Sequence, residues 1–365
     1  MKEKRTENRF FLPRYALILY AIAAFSLILY VVAVISPSFA SWFQQTVAAA
    51  VRFSLGHLTG WLPFSLAEIF IFASPLLIVL IAVLAWRNCA TWKETARYLG
   101  SVVAVVSILF SLFVFSFGTG YHTETLDSRL GLSTKNVSTQ ELKETAMLLA
   151  QKVNNAAQNV EFGEDGFSKM PYGHDAMNEH LLRAYDGICA KYPFISRLHV
   201  GVKPVLASKA MSYTHITGVY TYFTGEANIN VYFPDYTLPF TAAHEMAHQR
   251  GVARENEANF VAFLVTVSSE EPYLQYAAYL NLYEYVANAL WSADREAYRE
   301  VLLTLSPAVT GELRAYAAFF EQFEDSVAAD ISGAVNDTYL KVHGNKEGTA
   351  SYGMVVDLAV AYFKQ

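Results

Sequence analysis

Three long apolar runs constrain this chain more than anything else in it. Residues 15–35, 69–86 and 99–117 carry no charged side chain. Each approaches the roughly 20 residues that a helix needs to cross a hydrocarbon core of about 30 Å. Lipid offers the backbone no hydrogen-bond partners, so such runs span as helices. Ser38-Phe39-Ala40 could pass as a signal-peptidase site, but the run before it is too long for a signal core. The first run therefore reads as a retained helix, and the expected anchor is residues 1–120 with three transmembrane helices.

The basic residues orient the anchor. Lys2, Lys4, Arg5, Arg9 and Arg14 precede the first run, and Arg87, Lys93 and Arg97 lie between the second and third. The connection between the first two runs holds Arg52 alone. The positive-inside rule then puts the N-terminus in the cytoplasm and everything after residue 117 outside the cell membrane. Charge divides along the same line. Residues 1–120 hold nine Lys+Arg against four Asp+Glu, a balance of +5, and residues 121–365 hold eighteen against twenty-nine, a balance of −11. An outer part at −11 argues against nucleic acid as a partner. Cys89 and Cys189 fall on opposite sides of the membrane in this reading, so no disulfide is expected.

The outer part, residues 121–365, contains His244-Glu245-Met246-Ala247-His248. On a helix, residues four apart share a face, so both imidazoles can reach one zinc ion. Glu245 then stands beside a water that the ion polarises, where a general base belongs. Small residues at Ala242, Ala243 and Ala247 suit a tightly packed helix, and Arg250 is an unexpected charge in that setting. Gly251 is a natural stop. A second helix beginning near Arg254 would place Glu255, Ala258, Asn259 and Ala262 on one face. Glu255 is the expected third ligand, with Glu257 as the alternative and Asn259 as the residue that steadies a ligand histidine.

The remaining outer sequence reads as α+β. Ser138-Thr-Gln-Glu141 is a capping box that opens a helix to about residue 156. Residues 175–191 read as another helix, with His180 at its surface. Residues 198–206, 218–223 and 229–233 alternate like short strands, with a turn at Gly225-Glu226-Ala227-Asn228. Helices are expected over 273–290, 293–305, 310–325 and 326–343. A donor for a developing oxyanion is also needed. Tyr352, bracketed by Gly348 and Gly353, is the first choice, ahead of Tyr220, Tyr222 and His215.

The spacing Glu255-x-x-Ala258-Asn259 resembles the third-ligand helix of gluzincins, where the last position is usually Asp. Residues 223–230, 238–260 and 339–362 resemble a bacterial membrane-anchored family, domain-of-unknown-function family 3810. The resemblance implies three N-terminal membrane helices followed by a gluzincin-like domain, and it supports Tyr352 through the third stretch. The expectation is a membrane-anchored α+β protein whose mostly helical, zincin-like outer domain carries a small sheet. It would be a zinc metallopeptidase acting on a peptide or protein outside the membrane. The competing expectation is a zinc-bearing fold that binds a peptide or envelope partner without cutting it. Cleavage inside the membrane is disfavoured, because Glu245, Arg250, Arg254, Glu255 and Glu257 are too charged for a lipid setting.

Overall fold

The computed structural model describes residues 11–134, 137–342 and 354–364. Three helices are long and apolar enough to cross a membrane: α1 (Arg14–Ile35), α4 (Leu66–Asn88) and α5 (Trp92–Ser116). At 1.5 Å per residue their 22, 23 and 25 residues give about 33–38 Å, enough for the hydrocarbon core with some tilt. Between α1 and α4 lie α2 (Pro37–Phe43), a π-helical stretch (Gln44–Ala48) and α3 (Ala49–Gly60). This segment sits on the ends of the long helices. The Ser65 hydroxyl caps α4 through Glu68 N at 3.1 Å, and a Thr91/Glu94 capping box opens α5. α1 packs mainly on α5, whereas α4 leaves Ile71, Leu76 and Ile78 exposed.

After a 3-10 stretch at Gly118–His122 the chain builds α6 (Leu126–Leu130), α7 (Thr139–Ala157) and α8 (His174–Lys191). β1 (Lys203–Pro204), α9 (Ser208–Ser212), β2 (Gly218–Thr221) and β3 (Glu226–Ile229) follow, then α10 (Thr237–Gln249) and α11 (Glu255–Ser268). The last helices are α12 (Pro272–Ala293), α13 (Arg295–Leu302), α14 (Pro307–Glu321), α15 (Val327–Val342) and α16 (Val355–Phe363). The sheet order is β1-β3-β2, with β1 parallel and β2 antiparallel to β3. All thirteen residues of α10 are buried, and its apolar neighbours on α7, α8, α11, α12 and α16 form one continuous core.

The strands are shorter than the sequence suggests, and one is displaced. The chain reverses before Glu226, not through it. Gly225 takes φ +72°, and its N–H donates to Thr221 O at 2.8 Å. A Cβ on Gly225 would also meet Leu55 at 2.7 Å, so both conformation and space call for glycine. Glu226 is therefore the first residue of β3. That strand stops at Ile229, because the Asn230 side chain turns on its own loop, bonding Ser212 Oγ, Ile216 O and Tyr232 N.

Bonds between the first 120 residues and the rest of the chain cross the compositional boundary. Glu226 accepts from Leu66 N at 3.1 Å and Ala67 N at 3.0 Å, so its charge sits on the N-terminus of α4. Lys203 pairs with it at 2.7 Å and donates to Thr59 O and Phe64 O. Glu68 in turn accepts from Leu206 N and Ala207 N. Arg52, 1% exposed, donates to Ser116 O at the C-terminal end of α5 and to Ser196 Oγ at 3.0 Å. Cys89 and Cys189 are both free thiols.

Candidate metal centre

The site begins with the way α10 ends. Gly251 takes φ +97°, Gly251 N bonds His248 O at 2.9 Å, and Val252 N bonds Ala247 O at 3.1 Å. This Schellman motif swings the chain back on itself. It delivers the Val252 carbonyl to His248 Nδ1 at 2.7 Å. A carbonyl can only accept, so the proton of the neutral ring lies on Nδ1 and the lone pair on Nε2. His244 is arranged in the same way: its Nδ1 faces Asn259 Oδ1 at 2.7 Å, one turn into α11.

Both lone pairs converge on one point. The two Nε2 atoms are 2.9 Å apart, and Glu255 Oε2 lies 3.1 Å from one and 3.4 Å from the other. Three acceptors this close repel one another unless a cation stands between them. Zinc at about 2.0–2.1 Å from each of three tetrahedral ligands would set those ligands about 3.3 Å apart. The donor set therefore fits a zinc ion held by His244, His248 and Glu255. A proton can play the same part: burial alone would lower the His248 pKa, yet Glu255 carries it up to about 9. Burial opposes ionisation of Glu255 too, but the two histidines outweigh it and hold its carboxyl well below the usual range.

Glu245 faces the cluster without joining it. Burial pushes its carboxyl above the ordinary carboxylate range, against the pull of His244 and His248. Its Oε2 is buried and makes no hydrogen bond among the described residues. Its stem lies against Gly218 at the start of β2, where a Cβ would meet Glu245 Oε1 at 2.6 Å and Cγ at 2.7 Å. The missing side chain at Gly218 is thus the space that Glu245 occupies, a relationship that nothing in the sequence signals.

The other acidic and basic candidates are engaged elsewhere. Glu257 accepts from Leu126 N at 2.9 Å and pairs with Arg254 at 2.8 Å, so it ties the segment after α5 to α11. Arg250 is buried, with its guanidinium 4.1 Å above the Tyr185 ring and a hydrogen bond to Leu198 O. Its charge is stabilised by a π face and carbonyls, which is how a cation fits the helix where an apolar residue was expected. His180 packs at a tilt against Tyr172 near Glu271, away from the cluster.

Aromatic residues roof the site. Phe117, directly after α5, meets the His248 ring edge-on at 5.7 Å and the Tyr220 ring at 5.3 Å. Tyr121 and Tyr339 complete the layer, with ring centroids 6.3 Å apart. Burial raises the Tyr339 hydroxyl pKa, Tyr121 hydrogen-bonds it, and the charge of Glu255 acts on it. Tyr352 lies outside the described residues. The Tyr220 hydroxyl is buried near Arg52, Tyr222 packs on Phe113 at 5.3 Å, and His215 bonds Phe323 O at 2.7 Å. Tyr339 was missed in the sequence because it lies some ninety residues beyond the motif, on a helix whose pattern marks it only as amphipathic.

No curated protein and no solved structure matches the chain. A family model described as a protein of unknown function (DUF3810) matches residues 43–360, most of the sequence, and the chain belongs to that family.

Proposed function

We propose that this protein is a membrane-anchored zinc metallopeptidase of gluzincin type, acting outside the cytoplasmic membrane. The observation that carries the reading is the convergence of three lone pairs, from His244, His248 and Glu255, beside a buried carboxylate with an unpaired oxygen. A zinc ion bound there supplies a Lewis acid that acidifies water and polarises a carbonyl. Glu245 takes the proton from the attacking water and passes it to the leaving amine. The Tyr339 hydroxyl, kept protonated by burial, is a donor for the developing oxyanion, with Tyr352 as the other candidate. The outer edge of β2 offers backbone groups to an extended peptide.

A zinc fold that only binds a partner would have no use for Glu245 in its present state. The Tyr220 backbone N–H reaches its carboxylate, while Oε2 has no partner among the described residues and is left to receive a proton. The test uses the full-length protein in detergent, with casein as substrate. Wild type should hold about one zinc per chain. Glu245→Gln should keep the zinc and lose about 10²–10⁴-fold in activity. Glu255→Ala should lose zinc and melt lower, and Glu257→Ala should keep its zinc. A wild-type protein free of zinc sinks the reading. Loss of zinc from Glu257→Ala but not from Glu255→Ala replaces the third ligand.

A further inference from the structure

We infer that the substrate is the juxtamembrane segment of a polypeptide anchored in the same bilayer on its N-terminal side. The inference rests on the peptidase reading above and names its substrate class. It starts from the free edge of the sheet. Among the described residues, β2 has a neighbouring strand on one side only. Asn230 N donates to Thr217 O at 2.8 Å, which makes those two a hydrogen-bonded pair. Antiparallel pairs alternate, so Val219 and Thr221 turn their backbone groups to β3, while Gly218 and Tyr220 turn theirs outward. Glu245 lies on the outward side, against Gly218 and within reach of the Tyr220 backbone. An extended chain added at this edge passes the acid.

The far end of the same edge meets the membrane helices. Tyr220 packs on Phe117 at 5.3 Å, Tyr222 on Phe113 at 5.3 Å, and Phe223 on Phe70 at 5.9 Å. Phe113 lies in the last turn of α5, and Phe70 is 55% exposed near the start of α4. β2 covers the three steps from Gly218 to Thr221, about 10 Å at roughly 3.3 Å per residue, and Tyr222 and Phe223 lie in the turn that follows it. The strand therefore joins the proposed catalytic acid to the ends of α4 and α5, where Phe113 is buried and Phe70 is exposed on the apolar surface of α4. A chain rising out of the bilayer fills both ends, whereas a soluble peptide leaves the lower end to lipid. Addition antiparallel to β2, the more stable pairing, makes the bound chain run away from the membrane. Its anchored side is then its N-terminal side.

The probe is a randomised fluorogenic short-peptide pool, offered to the full-length protein in phosphatidylcholine vesicles. One sample carries an N-terminal palmitoyl chain attached directly, and a second carries it through a flexible spacer of about 30 residues. A third is anchored at the C-terminus and a fourth has no anchor. Both N-terminally anchored pools share one surface concentration, so enrichment at the membrane alone gives them equal rates. The expected result is cleavage of the directly anchored pool about tenfold or more faster than of the other three. Equal rates for the directly anchored and the spacer-linked pools, or faster cutting of the C-terminally anchored or free pool, overturns the inference. If casein is cut and no anchored pool is, the inference falls alone. If casein and every pool stay intact, the peptidase reading falls and takes the inference with it.

Discussion

At the scale of single residues, the site depends on atoms that are absent as much as on those present. Gly218 has no side chain where Glu245 needs its space. Gly218→Ala should therefore displace the carboxylate and leave the metal ligands in place. The expected outcome is a loss of about 10²-fold in kcat with zinc content unchanged, since a misplacement near 1 Å costs about that much. A variant that cuts casein at the wild-type rate would show that Glu245 tolerates the shift. His244, Glu245 and His248 stand out in the sequence because helical spacing alone gives them a shared face. Glu255 was legible through the alanine face that brings α11 against α10. Gly218, Phe117, Tyr121 and Tyr339 were not legible, because they reach the site through contacts between distant segments that leave no periodic mark.

Among the elements, the helices were legible and the strands were not. α7 was legible at both ends from its capping box and its pattern. β1 and β3 are so short that side-chain hydrogen bonds decide their limits, and alternation over two to four residues is a weak signal. The packing behind α10 holds a feature that periodicity also hides. Glu312 on α14 is fully buried, accepting from Ser168 N and Oγ and from the Tyr276 hydroxyl. Glu284 on α12 is pushed up to about 8 by burial and by the charge of Glu312, with Tyr236 partly compensating. A carboxyl with a raised folded-state pKa keeps a proton that the unfolded chain gives up. Its contribution is complete at pH below the ordinary carboxylate range and is lost as pH rises toward about 8. Glu284→Gln should therefore melt with wild type in mild acid and above it at alkaline pH. Melting curves of both proteins across that range check the sign, and parallel curves would remove Glu284 from the account.

For the molecule as a whole, the three apolar runs are the most readable feature of the sequence, since each forms a helix long enough to cross a membrane, and the basic residues around them carry the proposed orientation. A fusion at Gln365 to a reporter active only in the cytoplasm should stay silent, and a bright signal would reverse the proposed orientation. Composition is blind to what happens at residue 120, where Glu226, Lys203, Glu68 and Arg52 bind the two parts together. The Arg52–Ser196 bond joins residues 144 apart in sequence. At about 5–20 residues per second, the ribosome needs on the order of ten seconds to supply the second partner after the first. On the proposed topology Arg52 has by then crossed the membrane and stands hydrated on the far side. Its burial is a late event in biosynthesis, possible only once the sheet and the end of α8 exist. A chain stopped before Ser196 should be cut by trypsin after Arg52, and the finished chain should resist cutting there. Until that moment the helix ends that will close against the site lie open to other nascent chains leaving the same translocation channel.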